Sequence, residues 1–142
     1  MKISSKGRYA VAAMMDLALH ENKGPLTISD ISEKQNISLS YLEQIFADLR
    51  KGNLVRGTRG PGGGYRLARD AAEISIAQII DVLDEKRPRL DIEDERYQPY
   101  QLWAHLSRRM HEFLHHISLQ ECIDDVVMVE QLMLSKEHTE AA

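Results

Sequence analysis

The densest group of side chains able to do chemistry lies between Ser38 and Gln44. Ser38, Ser40, Tyr41, Glu43 and Gln44 all fall within seven consecutive positions. Glutamine can pair bidentately with adenine, glutamate can accept from cytosine N4, and hydroxyls suit phosphates or base edges. The plainer account is a solvated polar face, which every amphipathic helix has. A second group follows at Arg59-Gly60-Pro61-Gly62-Gly63-Gly64. An arginine on a loop tip can enter a narrow, electronegative minor groove. Glycines there let the backbone approach phosphate unobstructed, or simply supply the positive φ angles of a hairpin. A nucleotide-binding phosphate loop does not fit, because no Gly-Lys-Ser/Thr follows and no helix opens at the glycines.

Other reactive residues are less organised. His105, His111, His115 and His116 share one helical segment, and His111 and His115 have the i,i+4 spacing that can share a metal. No His-Glu-x-x-His pattern occurs and a third ligand is not evident, so a polar helix face accounts for them and no metal is assigned. Cys122 is the single cysteine, which excludes an intrachain disulfide. Glu121 and Asp124 beside it are expected to raise its thiol pKa, which favours a structural role. The carboxylates of 91–95 form one exposed run with no apolar pocket to separate their pKa values. No catalytic constellation emerges, and the chain is not read as an enzyme.

The elements that must position these groups follow from capping and periodicity. Residues 5–20 are rich in Ala, Met and Leu and read as a helix stopped by Asn22-Lys23-Gly24-Pro25. Thr27 caps a short helix over Ile28–Gln35, with Asp30 completing a near capping box and Asn36 suited to a left-handed turn. Ser38 caps a longer helix to about Lys51, whose stripe Leu39, Leu42, Ile45, Phe46 and Leu49 faces a core. Ser40, Tyr41, Glu43, Gln44 and Asp48 take its opposite face. A short helix, a tight turn and a longer amphipathic helix form a helix-turn-helix. Its second helix belongs in a major groove, first turn nearest the bases. Two short extended pieces, 54–59 and 65–69, flank the glycines as a hairpin made basic by Arg56, Arg59, Arg66 and Arg69.

Ser75 caps a further helix over Ile76–Leu83, and the charged stretch 84–98 reads as an exposed loop. Pro99 suits the first turn of a long helix. There Trp103, Leu106, Met110, Phe113 and Ile117 recur in alternating steps of three and four, a seam for a second copy of the chain. Ser118 and Glu121 open a last helix to about Leu134, and a loose tail is expected from Ser135. The expected fold is therefore mainly α with a small β-hairpin. It divides into a winged helix-turn-helix over 1–83, a loop over 84–98, dimerisation helices over 99–134 and a tail over 135–142.

The charge distribution agrees with this division. The net charge of −4 argues mildly against a nucleic-acid partner. Residues 1–70, however, carry 11 Lys/Arg against 7 Asp/Glu, whereas residues 71–142 carry 7 against 15. One half suits polyanions and the other does something else. No apolar run reaches a membrane span and no secretory stretch opens the sequence, so a cytoplasmic protein is expected, with no membrane partner. Two other functions fit the composition: a protein-interaction module that recruits a partner through its acidic half, or a sensor of metal or another signal on the histidine helix.

At Ser5-Lys6-Gly7-Arg8-Tyr9-Ala10, at 37–44 and at 59–65 the sequence closely resembles the iron–sulfur cluster regulator (IscR-like) family, dimeric winged-helix repressors and activators. The resemblance covers nearly the whole chain, including Leu102-Trp103 and Phe113-Leu114. It implies double-stranded DNA as partner, contacted by Ser38, Ser40, Tyr41, Glu43 and Gln44. It also implies a minor-groove role for Arg59, with Gly60 and Gly62 in the contacting wing, and phosphate contacts near Lys6 and Tyr9. The long helix is expected to pair with its twin, setting two recognition helices ~34 Å apart on a roughly palindromic operator. Cluster-holding members use three cysteines and a histidine between the short helix and the long one. Here Asp84–Gln101 contains neither, and Tyr97 and Tyr100 stand where the last ligands would fall. Thiolates are the usual cluster ligands, so no cluster is expected. Relatives without these cysteines respond through a partner protein or another signal.

Overall fold

The computed structural model describes residues 4–84 and 98–140 of the 142-residue chain. Helix α1, Ser5–Leu19, begins where Ser4 Oγ accepts the Gly7 N–H at 3.0 Å. It ends at His20, and a short 3-10 turn leads to Gly24 at φ +112°. Helix α2, Ile28–Gln35, opens on a full capping box. The Asp30 N–H donates to Thr27 Oγ1 at 3.0 Å and the Thr27 N–H to Asp30 Oδ2 at 3.3 Å. Asn36 then turns the chain in the left-handed conformation, φ 55° and ψ 49°. Helix α3, Leu39–Lys51, starts at once, with the Tyr41 N–H bonded to Ser38 Oγ.

Strands β1, Val55–Thr58, and β2, Gly64–Leu67, pair antiparallel with Val55 opposite Leu67 and Thr58 opposite Gly64. Leu26, two residues before α2, joins them. The Leu26 N–H donates to the Tyr65 carbonyl at 3.0 Å and the Tyr65 N–H to the Leu26 carbonyl at 2.7 Å. The hairpin is thus stitched to the front of the helix-turn-helix. Helix α4, Ile76–Asp84, is capped by mutual Ser75 and Gln78 hydrogen bonds of 3.0 and 3.1 Å.

One core holds these elements. Met14 from α1, Ile31 from α2, Leu42, Ile45, Phe46 and Leu49 from α3, and Ile79 and Ile80 from α4 are all fully buried in it. Burying one such side chain stabilises by roughly 1.5–3 kcal/mol, so the apolar face of α3 decides how that helix sits. Two positions on α3 depart from expectation. Leu39 is 47% exposed, because the first turn of α3 projects beyond the core. Asp48 is only 7% exposed, because it follows Ile45 by three positions onto the inward face, where the Lys6 ammonium meets it.

Helix α5, Gln98–His115, and helix α6, Leu119–Glu140, complete the described chain. The junction between them returns to the winged unit. The Ile76 N–H donates to the Ile117 carbonyl at 3.0 Å and the Leu119 N–H to the Ile74 carbonyl at 2.8 Å. Leu119 is fully buried in the same core as Phe46. Ile117 therefore lies past the end of α5 and packs on the core, so the seam runs along the helix only as far as Phe113. Helix α6 continues to Glu140 where a loose tail was expected from Ser135, since no glycine or proline interrupts it. Most of the loop expected over 84–98, positions 85–97, lies outside the described residues.

Candidate nucleic-acid interface

The first turns of α3 carry Ser40, Glu43 and Gln44 fully to the surface, with Ser38 exposed at the cap. The Ser38 oxygen is engaged as acceptor for the Tyr41 N–H, which leaves its hydroxyl proton to donate outward. Tyr41 is half-buried, and its ring meets Tyr9 of α1 edge-on, centroids 5.9 Å apart at 87°. The structure thus brings Tyr9 beside Tyr41 at the first turn of α3 and holds that ring by packing.

Lys6 is placed differently. Its Nζ donates to Asp48 Oδ2 at 3.0 Å, an ion pair that fastens α1 to α3. A second pair fastens α1 to α2. Lys34 Nζ lies 2.9 Å from Asp16 Oδ1, while Gln35 Nε2 donates to Asp16 Oδ2 at 2.7 Å. Both buried carboxylates of the core, Asp16 and Asp48, therefore carry partners from a neighbouring helix. The Lys6 amine, expected to meet phosphate, uses one of its three donors on Asp48 and stays partly exposed.

The wing projects beside the recognition helix. Arg59, Gly60 and Gly62 are exposed, and Gly60 and Gly62 hold φ of +99° and +75°, which side chains seldom adopt. A Cβ on Gly64 would collide with the Leu26 carbonyl, so that glycine is needed for the strand pairing itself. Tyr65 fixes the wing's angle by laying its ring on Phe46, centroids 4.8 Å apart. Sequence reasoning undervalued Arg50 on the last turn of α3 and Arg56 on β1, which share a groove with Arg59. The visible signal was the basic hairpin; what brings Arg50 to it is the turn at Asn53, φ +58°.

The histidine helix faces α4. His111 Nε2 sits 2.9 Å from Asp81 Oδ2, and its ring stacks with His115 at 6.4 Å. Among the described residues no group of three His, Cys, Asp or Glu is placed to hold a metal. The Cys122 thiol is pushed up by burial, then by Asp125 and then Glu121. Asp124, expected beside it, instead accepts from Gln120 Nε2 at 3.0 Å. Among the described residues no helix is long and apolar enough to cross a membrane.

A helix-turn-helix whose second helix presents polar side chains, with a basic glycine-tipped hairpin stitched beside it, defines a winged helix-turn-helix DNA-binding protein. Residues 3–125 match the Rrf2 family, described as an iron-dependent transcriptional regulator. The chain belongs to the Rrf2 family and is a transcription regulator that binds DNA, not an enzyme. It is 48% identical over 137 residues to the HTH-type transcriptional regulator IscR of Vibrio vulnificus, covering 92% of this chain and 82% of that one. It is 46% identical over 138 residues to IscR of Serratia proteamaculans, covering 91% and 84%. Among solved structures, T. potens IscR superposes with a TM-score of 0.74 at 37% identity, covering 89% of this chain and 88% of that one. CymR, the global cysteine regulator of B. subtilis, superposes at 0.76 with 34% identity, covering 87% and 97%. The IscR-like resemblance and the winged-helix fold expected from sequence are confirmed.

The Lys6–Asp48 pair yields a stability prediction. Lys6→Ala removes a charge-assisted bond from a buried carboxylate and is expected to cost about 1–3 kcal/mol. Asp48→Asn in the same background should recover part of that loss. Urea unfolding of the four combinations gives the coupling energy directly. A coupling near zero would show that the ion pair holds nothing in place.

Proposed function

We propose that the chain is a cytoplasmic, homodimeric, cluster-free regulator that reads a roughly palindromic operator with α3 and the wing. The observation that carries the proposal is the common exposure of Ser40, Glu43, Gln44 and Arg59 on two elements locked together through Tyr65. Gln44 and Glu43 provide base-edge acceptors and donors, Ser38, Ser40 and Tyr41 provide hydroxyls, and Arg59 enters the adjoining minor groove. Gly60 and Gly62 keep the wing tip narrow, with open space around each. Tyr9 contacts backbone phosphate from the start of α1.

Fragments selected from a random DNA pool supply the operator for the test. Arg59→Ala should weaken binding most at sites whose flank is a narrow, A/T-rich minor groove. Gln44→Ala should cost about 1–3 kcal/mol at particular base pairs and little elsewhere. Parental affinity of Arg59→Ala at narrow-groove sites would remove the wing from the interface. A Gln44→Ala loss uniform over all sequences would make that residue a phosphate contact.

Dimerisation is supported by the stripe Trp103, Leu106, Met110 and Phe113, each at least 44% exposed in the single chain. A row of large apolar side chains in water is unfavourable and marks an interaction surface. A second copy related by a two-fold axis covers it and brings the recognition helices to successive major-groove faces ~34 Å apart. Sedimentation should give twice the 16.2 kDa chain mass. Trp103→Glu with Phe113→Glu should give the single-chain mass and abolish operator binding; a variant that remains dimeric would place the interface elsewhere.

The donor set does not fit an iron–sulfur cluster. Cys122 is the single thiol, it sits on α6 against the core, and 84–101 offers no cysteine or histidine. Burial and two neighbouring carboxylates hold that thiol protonated, the opposite of what a thiolate ligand requires. Purified protein is expected to show no visible absorbance band and no stoichiometric iron or sulfide, and full operator affinity after chelation. Iron and sulfide at cluster stoichiometry would overturn this part of the proposal.

A further inference from the structure

We propose that the groove between the last turn of α3 and strand β1 seats a DNA backbone phosphate, held by Arg50 and Arg56 outside the base-reading surface. This inference rests on the DNA contacts proposed above. The groove has a volume of about 530 Å³ and is walled by Arg50, Asn53, Arg56, Thr58 and Arg59. Its walls bring three guanidiniums and no carboxylate. Among the described residues, no carboxylate pairs with any of these arginines. By contrast, Lys6 is paired with Asp48 and Lys34 with Asp16. Positive charge left uncompensated therefore gathers in this groove.

Two further features bear on what the groove can hold. Arg56 stands directly opposite Arg66 in the β1–β2 register, so their side chains leave the same face. Like charges directly opposite destabilise a strand pair, but the Arg66 guanidinium lies toward Gly24 and the groove is lined by Arg56 alone of the two. Arg50 stands on the last turn of α3, where the helix dipole is negative and repels anions. A helix C-terminus offers no free N–H, so a phosphate there depends on the side chains of the groove, among which Arg50 and Arg56 carry the charge to remove.

Geometry favours a backbone phosphate over a base. Arg50 follows Gln44 by about 9 Å along the helix axis at 1.5 Å per residue. With the first turn of α3 over the bases of a groove ~12 Å wide, the far end of the helix lies over the bounding strand. Phosphate contacts there add affinity and register without sequence preference.

The test is a salt titration of the full-length chain on two duplexes, one carrying the selected operator and one unrelated. Arg50→Ala and Arg56→Ala should each weaken both duplexes alike and lower the slope of log affinity against log salt by about 1, the pair by about 2. Arg108→Ala on α5 should leave the slope at the parental value. A double variant with the parental slope overturns the groove, as does a loss confined to the operator duplex. Arg50→Gln with Arg56→Gln, which keeps most of each stem, replaces the alanine pair if circular dichroism shows that pair unfolded. Calorimetric titration with ATP addresses a soluble phosphate compound. Saturable binding lost in the double variant, together with unchanged salt slopes, would assign the groove to a small ligand and overturn the DNA contact. A parent that retards neither duplex at low salt defeats the DNA contacts proposed above; a parent that binds while the double variant keeps its slope defeats only the groove.

Discussion

The seating of Tyr65 is the contact on which the DNA-facing half depends. Its ring lies on Phe46 inside α3, and its backbone exchanges two hydrogen bonds with Leu26, just ahead of α2. One residue of the wing is thus referenced to both helices of the helix-turn-helix. A two-stranded hairpin in water is marginal by itself, and a flexible wing would lose entropy each time it entered a groove. Anchoring Tyr65 meets that cost during folding, so Arg59 projects from a frame already aligned with Gln44. Gly64 serves the same end: any side chain there would strike the Leu26 carbonyl and part the strands.

Buried charge supplies the second layer of order. Asp16 and Asp48 both sit inside the helical core, and each draws a lysine from a neighbouring helix. Burying a carboxylate unpaired is costly, so these pairs specify how α1 lies across α2 and α3 more than they add stability. They also sort the cations. Lys6 and Lys34 pair with internal carboxylates and hold the scaffold, while Arg56 and Arg59 at the wing face outward. A chain of net charge −4 can in this way present a locally basic surface to a polyanion.

Local signals made most of the fold legible. The caps at Thr27, Ser38, Ser75 and Ser118 each mark a helix start, because side-chain oxygens satisfy orphan N–H groups within four residues. Asn36 announced its left-handed turn for an equally local reason. What stayed hidden depended on distant partners. Asp48 reads as a surface residue until α1 brings Lys6 to it. Ile117 continues the spacing of the α5 seam, yet its backbone is drawn into pairing with Ile76 across the fold. Within the candidate site, Ser40, Glu43, Gln44 and Arg59 were legible as exposed polar groups on signalled elements. Arg50 was not, since its nearness to β1 is set by the Asn53 turn and the packing beneath it.

The junction around Ser118 bears on how a signal could reach the DNA. The bridge between Ser75 and Ser118, and the burial of Leu119 and Ile123, make the start of α6 part of the core that positions α3. The exposed apolar stripe of α5 ends only a few residues before that junction. His111 ties the same helix back to α4 through Asp81. Helices α5 and α6 are therefore joined to the winged unit by packed side chains and backbone bonds. A change at the head of α5 has two stiff routes to the recognition helix, through α4 and through Leu119. The effect of a signal carried by either route is bounded by the differential affinity of the effector for the two arrangements.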